Sequence, residues 1–154
     1  MSGQVDDPAR VAVHDARDRR SARIAGIVGI VIGALMVIGG VAAWFGISSE
    51  LAQEKITVSE DAAFMQGAPV VDPLTAWAQA EVIQQHALDA TGGKTYAELD
   101  QDDPLRDVAA SSSYLRTSLF TSIVAFGVAL LAAGTGVIAI LYGWSLVTLG
   151  RRPV

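Results

Sequence analysis

LFTSIVAFGVALLAAGTGVIAILYGWSLVTLG, from Leu119 to Gly150, runs for 32 residues without a charge. A hydrocarbon layer about 30 Å thick is crossed by roughly 20 helical residues. Inside such a layer every backbone amide must find its partner within the segment, so this run is predicted to be an α-helix. A second run, Ile24 to Ile47, has 24 residues and no charge. Its apolar stretch is longer than the roughly 7–15 residues of a signal-peptide core. Although Gly40-Val41-Ala42 has the small-x-small form of a cleavage site, the run is expected to stay as an anchor.

The 154 residues are 51% hydrophobic and only 18% charged, and the charges are segregated rather than sparse throughout. Arg10, Arg17, Arg19, Arg20 and Arg23 precede the first run; Arg151 and Arg152 follow the second. The 71 residues between them carry Lys55, Lys94, Arg106 and Arg116 against 12 carboxylates, a formal charge of −8. Short arginine-rich flanks stay cytoplasmic, which places the acidic segment outside. Trp44 and Phe45 at one boundary, and Tyr142 and Trp144 at the other, suit the aromatic belts of a membrane interface.

The expected fold is an all-α membrane protein: a two-helix transmembrane hairpin with a small helical extracytoplasmic cap, the second span continuous with a long outer helix. The divisions are a disordered cytoplasmic tail at 1–23, a first span at 24–47, the acidic cap at 48–118, a second span at 119–147 and a cytoplasmic tail at 148–154. Gly26, Gly29, Gly33 and Gly40 share one narrow face of the first span. Ala125, Ala132, Gly136, Ala139 and Gly143 share one face of the second. Small residues let helix backbones approach closely where lipid offers no hydrophobic drive, so these faces are expected to pack on each other. Gly127 and Gly134, on the far side, leave room for a partner helix.

Within the cap, Asp72-Pro73 has the form of a helix start and Gly92-Gly93 of a helix stop. That helix is expected to lay Ala76, Ala80, Ile83, Ala87 and Ala90 along one face, with Trp77 and Leu88 beside it. Asp103-Pro104 starts a second helix with no breaker before the bilayer; run to residue 149, it would be about 70 Å long. Ile56 and Val58 alternate like a short strand.

Several chemistries are excluded. Without cysteine there are no disulfides, thiolate metal sites or thiol nucleophiles. Neither span has an ionisable residue, and their only polar side chains are Thr121, Ser122, Thr135, Ser145 and Thr148, a poor basis for conduction. Thr91-Gly-Gly-Lys-Thr95 ends like a phosphate-binding loop, but Leu88 stands where the first glycine belongs. Asp100, Asp102 and Asp103 open like a calcium loop, but Leu105 and Ser111 occupy its glycine and glutamate places. The two histidines, His14 and His86, fall on opposite sides of the membrane, so no site holds both.

Val71-Asp-Pro-Leu-Thr-Ala-Trp-Ala-Gln-Ala-Glu81 and HALDATGGKTYAELDQDDPLR, from His86 to Arg106, together resemble an uncharacterised family of small two-span membrane proteins from actinobacteria. The resemblance spans roughly residues 50 to 145. Members are sometimes labelled aromatic ring-opening dioxygenases, a label the residues oppose because the two-histidine, one-carboxylate iron set is missing. The leading expectation is a non-enzymatic accessory or scaffold subunit of a cell-envelope membrane complex, without cofactor. The alternative is a regulator or sensor whose acidic cap binds a cation or ligand. Membrane lipid, and a membrane-protein partner or second copy, are the expected partners, with no nucleic acid. The interaction surface is sought at Asp72, Trp77, His86, Lys94, Tyr96, Asp102, Asp103 and Arg106.

Overall fold

The computed structural model describes the backbone of residues 8–151 and the side chains of residues 18–151. Three α-helices follow in order: α1 at Pro8–Gln53, α2 at Pro73–Ala90 and α3 at Arg106–Leu149. No strand forms among the described residues. α1 from Asp18 onward and the whole of α3 are long and apolar enough to cross a membrane.

α1 begins sixteen residues before the charge-free run, at Pro8. The expectation of a disordered tail over residues 1–23 is therefore corrected from Pro8 on, while its first seven residues lie outside those described. Helix nucleation is the costly step and propagation is cheap. A segment rich in alanine and arginine extends a helix already nucleated beside it. At its other end α1 overruns Ile47 to Gln53 and stops at Lys55, whose φ of 54° turns the chain into the left-handed region.

The chain gathers into two compact units, one from the described parts of residues 1–40 and 131–154, the other from residues 41–130. In the first unit α1 and α3 pack antiparallel along glycines seven residues apart. A Cβ built on Gly26 would lie 2.6 Å from the Gly143 carbonyl oxygen, and one on Gly143 would lie 2.5 Å from that of Gly26. Gly33 and Gly136 repeat the arrangement, at 2.5 Å in both directions. One step further, a Cβ on Gly150 would meet the Arg19 carbonyl oxygen at 2.9 Å. A seven-residue step keeps one seam in register along two helices crossing at about +20°. Gly29, on the same face, is looser: its added Cβ would make ordinary contact, 3.7 Å from the Ala139 oxygen. Gly40 is also buried, whereas Ala132 and Ala139 are half-buried.

In the second unit the core joins Leu51, Val58, Val70, Ala76, Ala80, Val82, Leu119 and Phe126. Trp44, half-buried, meets the Phe126 ring edge-on at 4.7 Å, while Phe45 beside it is 69% exposed. Ala125 is half-buried here. The Ile56–Val58 strand does not form. One antiparallel bridge, Thr57 to Pro69, closes a loop in which Val58 N donates to Ala68 O and Val70 N to Ile56 O. A single bridge suffices because the loop is pinned elsewhere, by Ser48 Oγ donating to Val71 O at 2.7 Å.

α2 starts as its sequence predicts. The Asp72 carboxylate accepts from Leu74 N and Thr75 N, and the Thr75 hydroxyl oxygen accepts from Asp72 N, a reciprocal capping box. Asp72→Ala is expected to lower stability by about 1 kcal/mol in thermal unfolding, with Asp89→Ala near the far end of the same helix close to neutral. Beyond Ala90, Thr91 caps the helix, Gly92 takes φ 65° and Gly93 N donates to Leu88 O. Thr91-Gly-Gly-Lys-Thr95 is thus a helix terminus. α3 starts later than expected. Asp103 Oδ1 accepts from Leu105 N and caps the turn, but regular helix begins only at Arg106. Its 44 residues extend about 66 Å.

Candidate functional site

α2 is covered on two sides. Ala76, Ala80 and Ile83 follow the expected stripe, and Trp77 meets the Phe120 ring of α3 edge-on at 5.4 Å. The stripe fades toward its end, where Ala87 is half-buried and Ala90 exposed. Thr75, Gln79, Val82 and His86, at helical spacing, form a second face that the apolar pattern misses. The loop over residues 56–70 lies on it: Ser59 N donates to Gln79 Oε1 at 3.0 Å, and His86 Nε2 lies 2.6 Å from Asp61 Oδ2. The missed signal is polar: a face read by glutamine and histidine has no hydrophobic period.

The His86 hydrogen bond holds the Asp61 carboxyl below its ordinary value of 3.8. A carboxylate depressed by folding contributes stability above its unfolded pKa and loses it as pH falls through the folded value. Acidification below about pH 4 is therefore expected to lower the protection of amides over residues 59–67 relative to their intrinsic exchange rates, and His86→Ala to remove that step. Both side chains are exposed, so the effect is local. Asp89 bonds Gln85 Nε2 instead, and no serine hydroxyl bonds His86 among the described residues, so a Ser-His-Asp relay is not assembled.

Residues 91–105 fold back as a turn closed by Arg106. Its guanidinium stacks on the Tyr96 ring, 4.1 Å from the centroid, and Nη1 donates to Leu99 O at 2.6 Å. Thr95 donates its N–H and hydroxyl to the Glu98 carboxylate, each at 2.8 Å, and the two bonds hold Glu98 below the usual carboxylate range. Of the sequence-predicted surface, then, Asp72, Asp103, Arg106 and His86 are committed to capping, stacking or pairing. Asp102 is exposed. No group of three or more His, Asp or Glu side chains gathers to hold a metal among the described residues.

Lys94 and Tyr96 do share a cavity. A cleft of about 560 Å³ is walled by Gln84, Ala87 and Leu88 of α2, by Lys94 to Ala97 of the turn, and by Ala109, Ser112, Ser113 and Arg116 of α3. Arg116, with Lys94, is one of its two cations. Its guanidinium lies 5.1 Å from the centre of the Phe120 ring, and its Nε is buried without a hydrogen-bond partner. The available clue is position: Arg116 is the last charge before the apolar run begins.

No family model, curated protein or solved structure matches the chain.

Proposed function

We propose that the chain is a two-pass integral membrane protein of an actinobacterial cell envelope, with both ends cytoplasmic and residues 48–118 outside. Its role in this reading is that of a non-enzymatic accessory or scaffold subunit. The observation that carries the reading is the outward surface of the two long helices. Leu35, Ile38, Phe45, Val124 and Leu131 are each more than 60% exposed. Only 17% of the most apolar window of each helix is buried, whereas a core helix of a water-soluble protein buries most of it. So much contiguous apolar surface belongs against lipid or another helix. The arginine-rich ends support the orientation, and the stretch from His86 to Arg106 supports the source.

The chain has no cysteine, so single cysteines report topology cleanly. On intact cells a membrane-impermeant maleimide is expected to label Ala63→Cys, and to label Ser21→Cys only after lysis. The reverse pattern overturns the orientation, and recovery of the chain in the soluble fraction overturns membrane insertion. An N-terminus starting near Ala43 in the mature protein would do the same for the first span. The scaffold role predicts a co-purifying membrane protein, or a second copy, in native mass measurement from mild detergent. A lone monomer counts against it.

A further inference from the structure

We infer that the cleft at Arg116 seats the phosphate of a phospholipid from the outer leaflet, with an acyl chain lying along Phe120 and Val124 of α3.

The first support is charge. The segment from Ser48 to Ser118 has four cations and twelve carboxylates, yet the cleft lining includes two of those cations, Lys94 and Arg116, and no carboxylate. Hydroxyls from Ser112 and Ser113 complete a donor set suited to an oxyanion. Glu98 borders the cleft through Thr95 but is engaged by that residue's N–H and hydroxyl, and the lining itself carries net positive charge, which suits an anion.

The second support is the state of Arg116 itself. Lys55 is in open turn, and Arg106 is used by Tyr96 and Leu99. Arg116 makes no hydrogen bond to any described residue, and its Nε is withdrawn from solvent. Its Nη donors have no partner among the described residues and are not closed off, so they are the atoms that an oxyanion in the cleft would meet. The Phe120 ring lies 5.1 Å from the guanidinium carbon, a cation–π contact that uses none of its N–H donors.

The third support selects lipid over free phosphate. Ser113 and Arg116 also line a second cleft, of about 440 Å³, which continues down α3 past Thr117 to Phe120, Thr121 and Val124. Val124 is 65% exposed at its end. From Arg116 to Val124 the helix rises about 12 Å, the depth of the upper part of an acyl chain. A polar cup opening onto an apolar groove, at the level where the apolar run begins, matches a molecule with a phosphate head and a hydrocarbon tail. A free phosphate needs only the cup.

This inference rests on the membrane reading, and the test separates the two. The full chain, reconstituted in nanodiscs with phosphatidylglycerol or phosphatidylcholine, is released for native mass spectrometry. Wild type is expected to keep one phospholipid per chain, with phosphatidylglycerol preferred. Arg116→Gln is expected to lower that occupancy about tenfold, the effect of one charge-assisted bond, and Arg116→Lys to restore part of it. Ser113→Leu, which fills both clefts without changing charge, is expected to match Arg116→Gln, and Lys55→Gln to match wild type. Equal lipid retention by Arg116→Gln and wild type overturns the proposal, as does release of the lipid by millimolar inorganic phosphate, which marks a free-oxyanion site. A protein found in the cleft in place of lipid also overturns it. In each of these cases the variants still fractionate with membranes, so the membrane reading stands apart.

Discussion

Gly33→Leu is expected to be the most damaging single substitution in the chain, lowering stability by about 3 kcal/mol or more, the upper end for overpacked sites. The atom its Cβ would meet at 2.5 Å is the Gly136 carbonyl oxygen, with Ile140 N at 3.0 Å behind it. Both belong to the helix backbone, which cannot rotate away as a side chain does. The only relief is separation of α1 from α3, which forfeits contacts along the whole glycine seam. Gly136→Leu should behave alike, since its Cβ would lie 2.5 Å from the Gly33 oxygen. The double variant should fall short of the sum, because the first substitution has already opened the contact the second would break. Gly39→Leu and Gly134→Leu are the controls: the same change in the same helices, with nothing within 4 Å of either Cβ. Thermal unfolding in mild detergent reads the difference. If all four variants unfold alike, the seam does not hold the helices together.

Phe126→Ala carries the second largest expected effect. Phe126 is 1% exposed, the largest of the fully buried side chains, and its ring takes the edge of Trp44 at 4.7 Å. Truncating a buried phenylalanine typically costs about 3–5 kcal/mol, part of it for the cavity left behind. About 3 kcal/mol is expected here, since lipid is as apolar as the site and the transfer contribution shrinks. Phe45→Ala, at a ring 69% exposed, should be near neutral. Trp44 reports the change directly. With Trp77 and Trp144 replaced by phenylalanine, its emission should shift when Phe126 is removed and stay constant when Phe45 is. An unshifted Trp44 together with unchanged stability would show that the ring pair is not part of the core.

Much of this was legible in the residues. The two apolar runs announced two helices by the absence of charge alone. Asp72-Pro73 and Gly92-Gly93 bounded α2, because capping chemistry is local: the donors and acceptors involved lie within a few residues of one another. Asp103 marked the entry to α3, though the first regular turn came at Arg106. The glycine faces pointed to helix contact, but the register did not follow from them. The close approach falls on Gly26 and Gly33, seven apart, while Gly29 on the same face is looser. Which glycines touch depends on how two helices cross, and neither helix encodes that by itself.

The candidate site was less legible. Six of the eight residues sought as an interaction surface also satisfy a neighbour in the fold: Asp72, Trp77, His86, Tyr96, Asp103 and Arg106. An exposed charged residue and a capping one have the same letter. Arg116 reads in the sequence only as a charge, because its companions in the cleft, Lys94 and Thr95, stand more than twenty residues away along the chain.

The sequence by itself determined that two charge-free helices exist, which of their ends carry arginine, and where α2 begins and stops. These are properties of composition and short-range bonding. Only the tertiary structure decided that the glycines meet in seven-residue steps, that Trp44 meets Phe126 edge-on, and that an acidic segment encloses a cleft lined by Lys94 and Arg116 without a carboxylate. Those features arise from contacts between distant segments, whose geometry is fixed by packing rather than by any local pattern.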